Sequence, residues 1–280
     1  MKLGWLVWGV LVAVVAVAPQ AHADGAGLQT LELGAGPTVV LVPGLGGSRT
    51  DWLPTVKRLK DHYHCVMVEI PGQGTSPLPD PFSLQAAANA LDAVIAKQKP
   101  DSTIVIGDGV GGILALVSAS AHPEHQRAVM LIDTPIKSPM PIPDQERDDM
   151  VRFIDEHFDQ FAQMAFAKMG RDSTESARLY AMIAAVPPAT VKAYVREMLR
   201  MDGNHDLHNV KGPLALTFSE HAWKAGTTWG GLAKNFGYED TTLAAPVRIV
   251  NSGPMVMKDQ PDTLAALIGA FAQRGYAGRK

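Results

Sequence analysis

Residues 103 to 116 read TIVIGDGVGGILAL, and here the chain comes nearest to covalent chemistry. A β-branched run from Thr103 to Ile106 meets a tight turn, Gly107-Asp108-Gly109-Val110-Gly111, and Gly112 opens an apolar segment long enough for a helix. Strand, sharp turn and helix in that order match G-x-S-x-G, the pattern that lifts a nucleophilic serine onto an exposed turn for acyl transfer. Gly107 and Gly111 take the small flanking positions, and Asp108 the first variable one. The nucleophile position is Gly109, and glycine has no side chain with which to attack a carbonyl. A residue at such a turn is held in a strained backbone conformation, at about 1–3 kcal/mol, which glycine reaches with little penalty. The competing reading is an ordinary Gly-rich strand-to-helix turn of the kind that cradles phosphate, because G-x-G-x-G-G alone has low specificity.

Other chemistry-bearing residues are scattered. Asp108 becomes a nucleophile only if the turn is shifted by one residue, which puts Ile106 and Val110 where small residues belong. Ser118 and Ser120 lie down the following helix, and Ser102 precedes the strand. His205-Asp206-Leu207-His208 offers two metal-ligand types but no evident third, and reads as a solvated loop; His62 and His64, flanking Tyr63, read the same way. No metal and no cofactor is therefore expected. The single cysteine, Cys65, cannot form a disulfide within its own chain and reads as a small core residue.

The elements that position the turn alternate. Short apolar strands are expected at Leu28 to Leu33, Thr38 to Val42, Cys65 to Ile70, Ala128 to Ile132, Leu214 to Phe218 and Val247 to Val250. Helical spacing covers Trp52 to Leu59, Ser83 to Gln98 with Ser83 as cap, and Asp262 to Gln273. Nearly all-apolar strands separated by helices imply a mostly parallel sheet covered on both faces, an α/β fold. After Ser138 the prolines at 139, 141 and 143 form a linker, and residues 145 to 205 read as helices without strands. Val151, Ile154, Phe158, Phe161 and Ala165 fall on one helical face there, and Phe158, Phe161, Phe166, Met164 and Met169 either pack this segment or line a ligand cavity.

The chain of 280 residues, 46% hydrophobic and 19% charged, suits one large α/β domain. Its formal charge of −3 gives no support to nucleic acid or an anionic membrane as partner. Lys2, an apolar run from Leu3 to Ala18 and the small-x-small Ala21-His22-Ala23 read as a signal peptide over residues 1–23, so the mature chain is expected to start at Asp24, periplasmic or secreted. An uncleaved anchor is the alternative. No later run is long and apolar enough to be expected to cross a bilayer.

Five stretches in order resemble the α/β-hydrolase superfamily over roughly residues 28 to 275: VVLVPGLGGS its oxyanion loop, EIPGQGTSP its D-x-P-G-x-G-x-S turn, VIGDGVGG its nucleophile elbow, AHPEHQRAVMLID the approach to the next strand, and SGPMVMKDQPDTLAALIGAF the closing segment. The resemblance implies an α/β-hydrolase core over 24–137 and 206–280 with a helical lid at 138–205. It implies an oxyanion hole from the backbone N–H groups of Leu45, or Gly46 in another register, and of Val110. It also implies a late catalytic histidine where this chain has Pro254, and an acid near Glu220 or, as in some relatives, at Asp133. Proline cannot act as a base, and the last histidine anywhere is His221. The expectation is an exported hydrolase homologue without recognisable nucleophile and base, which binds a small apolar ligand bearing a carbonyl or carboxylate at Leu45, Gly46, Gly109 and Val110, or else an unidentified protein partner. The rivals are an active hydrolase of ester-like substrates using other residues, and a purely structural exported protein.

Overall fold

The computed structural model describes residues 20–22, 27–138, 140, 142–239 and 246–277. Eight strands form one sheet: β1 (Gln20–His22), β2 (Thr30–Leu33), β3 (Thr38–Val42), β4 (His64–Val68), β5 (Thr103–Asp108), β6 (Ala128–Ile132), β7 (Leu214–Ser219) and β8 (Val247–Ile249). Their spatial order is β1-β2-β4-β3-β5-β6-β7-β8. β1 and β2 run antiparallel to their neighbours, and every pairing from β4 across to β8 is parallel.

The buried strands divide their side chains by period two between two cores. Val40, Val42, Val66, Val68 and Val105 face one way, onto α2 (Leu84–Ile95) and α3 (Val110–Ala121), with Leu91, Ile95 and Leu114 as their partners. Val39, Leu41, Cys65, Met67, Ile104 and Ile106 face the other way, onto α1 (Leu53–Leu59) and α11 (Pro261–Ala277), with Val56, Leu264, Ile268 and Phe271. All of these are fully or almost fully buried, so truncating one to alanine should cost about 2–5 kcal/mol. Cys65 is a buried free thiol, its pKa pushed up to about 12 by burial, as suits a core position.

Between β6 and β7 the chain is helical: α4 (Asp144–Glu156), α5 (Phe158–Phe166), α6 (Ser173–Ala184), α7 (Pro188–Met198) and α8 (Asn204–Asn209). Ile154, Phe161, Ile183, Val191, Val195 and Leu199 form a third, smaller core inside this segment. Two further helices, α9 (Trp229–Phe236) and α10 (Val256–Asp259), flank β8.

Several sequence expectations are corrected. The apolar face from Val151 to Ala165 is divided between two helices that break at His157, where Lys192 Nζ donates to the Asp155 carbonyl at 2.8 Å and satisfies a carbonyl of the ending turn. His205 and His208 lie in α8 rather than a loop, where each bonds within its own helix, to Asn209 and the Asn204 carbonyl. His64 lies in β4 and bonds Glu32 at 2.9 Å. The pairing of residues 20–22 with β2 leaves the expected signal peptide untested, because the apolar run before them lies outside the described residues. Among the described residues no helix is long and apolar enough to cross a membrane.

Candidate functional site

The turn expected at Gly109 is present. β5 ends at Asp108, Gly109 has φ 49° and ψ −116°, and α3 starts at Val110. A side chain at Gly107 would meet the Gly111 carbonyl at 2.5 Å, one at Gly111 would strike the carbonyls of Val42 and Pro43, and one at Gly112 would strike Thr134. Those three glycines are required by close packing of helix on strand. Gly109 differs: its nearest neighbour would be the Gly44 Cα at 4.0 Å. A side chain there has room and points into open space, so only the backbone angle selects glycine.

The loop after β3 supplies the other wall. Gly46, at φ 85°, donates its N–H to Gln73 Oε1 at 2.6 Å, and Gln73 Nε2 returns a bond to the Gly47 carbonyl at 3.1 Å. Gln73 is buried. The Gly46 N–H is therefore committed, and the second register offered for the oxyanion donor is not available in this conformation. Leu45 and Val110 N–H donate to no other described residue. Val110 opens α3, where unsatisfied N–H groups give a helix its partial positive end.

Gly109, Leu45 and Val110 line a cavity of about 450 Å³. Its wall is apolar: Phe161, Phe166 and Met169 come from α5 and the turn after it, Met182 and Ile183 from α6, Met198 from α7, and Met255 and Met257 from the segment after β8. Of the aromatic and methionine residues singled out in the helical segment, Met164 is 69% exposed and Phe158 is not part of this wall. Pro254 lines the cavity at the position where the resemblance expects a histidine.

Three carboxylates, Asp51, Asp108 and Asp133, also line it, and among the described residues no lysine, arginine or histidine does. Asp51 pairs with Lys258 and accepts from Ser48 N–H at 2.8 Å. Asp108 is buried. Burial pushes its carboxyl well above the usual range, and the charges of Asp133 and Asp51 add to this against the Gly44 N–H bond. Asp133 is pushed up to about 6 by burial, opposed by bonds from the Ser219 hydroxyl and from the Ser219 N–H at 2.7 Å. It also takes a positive φ of 43°, rare for a residue with a side chain. The cavity thus holds two neighbouring carboxyls whose proton affinity burial raises, with no cationic group among the described residues of the wall.

Glu220 is elsewhere. It accepts from Arg248 Nη2 at 2.7 Å and Asn251 N–H at 2.6 Å, tying β8 to the end of β7, and does not line the cavity. His221 is outside the cavity wall too; burial, with Lys224 nearby, holds its imidazole below the usual value. The helical segment is fastened at the Pro254 loop: Arg171 bonds Glu175 at 2.9 Å and pairs with Asp259 at 3.3 Å, and Asp259 accepts the Gly253 N–H at 2.8 Å.

Residues 37–181, more than half of the chain, match the profile of the alpha/beta hydrolase fold. The chain belongs to the α/β-hydrolase family. A pimeloyl-[acyl-carrier protein] methyl ester esterase of Pseudoalteromonas atlantica is 30% identical over 109 residues, 38% of this chain and 41% of the esterase. The chain thus matches about two fifths of that relative's length. A thermophilic esterase from Thermogutta terrifontis superposes with TM-score 0.70 at 18% identity, covering 91% of this chain and 97% of the esterase. A hydrolase from Oleispira antarctica does so with TM-score 0.69 at 17% identity, over 87% of this chain and 94% of that one. In this α/β-hydrolase the elbow, the oxyanion loop and Pro254 meet at one cavity.

Sequence reasoning missed Gln73, Asp51 and most of the methionine wall. Gln73 occupies a variable position of the PGQGTSP turn, and only the fold shows that its amide reaches the Gly46 loop. Asp51 and the methionines carry no spacing signal, because they come from separate elements.

Proposed function

We propose that this α/β-hydrolase-family protein is an exported, catalytically degenerate homologue that binds a small apolar molecule through one neutral carbonyl group. The observation that carries the proposal is the composition of one wall: Gly109 and Pro254, at the positions of nucleophile and base, both face the cavity that the Leu45 and Val110 N–H groups border. Backbone donors survive loss of the catalytic side chains and can still polarise or hold a carbonyl oxygen. Asp133 lines the cavity with no lysine, arginine or histidine among the described lining residues, which favours a carbonyl over a carboxylate, since a ligand anion would be repelled by it in a poorly solvated site. The methionine- and phenylalanine-rich wall suits an adaptable apolar body. In this reading the helices between β6 and β7 serve as the lid over residues 138–205, and residues 1–23 are the signal peptide.

A second reading is an active enzyme. Asp108 and Asp133 line one cavity with proton affinities both raised by burial, and carboxyls so tuned serve in general acid–base chemistry. One experiment separates the two. The purified protein should leave short-chain aryl esters at background and take no fluorophosphonate label, while neutral esters, ketones or lactones raise its Tm more than the matched fatty acids do. A ligand at 100 times its Kd adds about 2.7 kcal/mol. Ester turnover that Asp108→Asn or Asp133→Asn abolishes would establish the enzyme instead. If no neutral ligand shifts Tm, or if a folded Gly109→Trp binds one unchanged, the binding proposal fails.

A further inference from the structure

Far from the cavity, three metal-ligand side chains converge at the other end of the elbow helix. Asp92 lies in the last turn of α2, His122 caps the C-terminus of α3, and His125 follows in the next turn. One ligand atom from each lies within 4.8 Å of the others. His125 Nδ1 is 3.0 Å from Asp92 Oδ1, and His122 Nε2 is 3.9 Å from Asp92 Oδ2. The imidazoles stack nearly parallel, with centroids 5.4 Å apart and planes 10° apart. Asp92 has a side chain only 9% exposed, whereas His122 is 36% and His125 27% exposed. The arrangement is therefore a buried carboxylate with two imidazoles at its mouth, open to solvent on one side.

We infer that Asp92, His122 and His125 form a binding site for a borderline divalent cation such as zinc. Zinc bonds of about 2.0–2.2 Å at tetrahedral angles put ligand atoms about 3.3 Å apart. The observed 3.0 Å and 3.9 Å separations from Asp92 bracket that value and the two imidazole nitrogens lie within 4.8 Å of each other, so loading requires the more exposed His122 to move inward. The remaining ring nitrogens have one carboxylate near them, beyond hydrogen-bond distance. Glu124 Oε1 lies 3.7 Å from both His122 Nδ1 and His125 Nε2, the two nitrogens turned away from Asp92. A ligating histidine commonly gives its other N–H to a carboxylate, which fixes its tautomer. Ser118 Oγ donates at 3.3 Å to Asp92 Oδ1, one of the two Asp92 oxygens that His125 Nδ1 approaches at 3.0 Å. Three protein ligands leave a fourth position for water. Two nitrogens and one carboxylate favour zinc over magnesium or calcium, which require an all-oxygen shell. The cation would clip α2 to the end of α3, about 17 Å along that helix from Val110 at its ~1.5 Å rise per residue.

The test is calorimetric titration of the full, chelator-treated chain with Zn²⁺, with Mg²⁺ and Ca²⁺ in parallel, together with Tm. Binding of one Zn²⁺ per chain with a rise in Tm is expected, with no response to Mg²⁺ or Ca²⁺. His122→Gln and His125→Gln should each weaken Zn²⁺ binding at least tenfold while leaving Tm in chelator close to the parent value. Glu124→Gln should weaken it less. The paired change His205→Gln and His208→Gln in α8 should have no effect. Absence of stoichiometric binding, or binding that survives both His122→Gln and His125→Gln, overturns the inference. Loss of binding in the α8 variant reassigns the site. Asp92→Asn is a poor first test, because a buried group is altered; the two surface imidazoles carry the decision.

Discussion

Gly109→Ser restores the residue that the elbow pattern expects, and the structure sets what it should cost. No atom blocks the new side chain, the nearest being the Gly44 Cα at 4.0 Å from a Cβ. The penalty is thus conformational alone, from φ 49° and ψ −116°. Such a conformation costs a residue with a side chain about 1–3 kcal/mol, and removing glycine's freedom from the unfolded chain returns about 0.4–1 kcal/mol. A net loss of about 1–2 kcal/mol is expected, or a Tm lower by about 2–8 °C at this size. Gly230→Ala is the control. Gly230 is exposed inside α9, with nothing within 4 Å of an added Cβ and no positive φ, so the same kind of change should stabilise by about 0.5–1 kcal/mol. Urea unfolding of both variants with the parent reads the difference. The serine should remain unlabelled by fluorophosphonate, because Pro254 stands at the base position and His221 is outside the cavity wall. If Gly109→Ser is as stable as the parent while Gly230→Ala gains, the elbow is not held in its strained form. Stoichiometric labelling would mean that some other group activates the hydroxyl.

Asp133→Asn probes the acid beside the elbow. Folded Asp133 keeps its proton up to about pH 6, whereas an unfolded aspartate releases it near ~4, so the folded state binds more protons in that window and loses stability as pH rises through it, by about 1.4 kcal/mol per unit. Asparagine tolerates φ 43° and its Oδ1 can still accept the Ser219 N–H. Urea midpoints should therefore be similar near pH 4 and favour the variant by about 2 kcal/mol at pH 8; a difference independent of pH would refute the buried-acid assignment. Gln73→Ala should destabilise by about 1–3 kcal/mol, because it leaves the Gly46 N–H and Gly47 carbonyl without their partner. Amide exchange at Gly46 should quicken with it, and unchanged exchange would count against the amide clamp.

What was legible in the sequence depended on whether its signal was local. The strands at 38–42 and 128–132 and the Ser83 cap were readable because each rests on neighbouring residues: an all-apolar run, or a hydroxyl that accepts the Ala86 N–H at 3.0 Å. The elbow was readable largely for the same reason, since Gly107 and Gly109 answer to contacts and angles within one turn, although Gly111 is set by the distant carbonyls of Val42 and Pro43. The break at His157 was not, because a lysine 35 residues on in α7 satisfies the end of α4. Nor was the fate of the acids. Glu220 and Asp133 sit at the ends of different strands and were equivalent candidates by position. Arg248, brought alongside by β8, draws Glu220 away from the cavity, and the Ser219 N–H holds Asp133 at its edge.

The electrostatics of the site follow from which side chains are missing as much as from which remain. In a Ser-His-Asp arrangement the acid carries charge because it orients an imidazole and stabilises it when protonated. With proline at 254 no cation faces Asp133, and burial raises its pKa to about 6. Asp108, beside it on β5, is pushed in the same direction by burial and by the Asp133 charge, and accepts from the Gly44 amide. A protonated Asp108 has an O–H to donate as well as oxygens that accept. In the proposed binding role a carbonyl oxygen would have three candidate donors of two kinds along the cavity wall: the Leu45 and Val110 amides and the carboxylic acid. None of the three needs a nucleophile at 109. The charge balance that makes this possible also sets its limit, since ionising Asp108 would remove a donor and place a second negative charge beside Asp133. Recognition of a neutral carbonyl should therefore weaken as pH rises toward the point where Asp108 loses its proton.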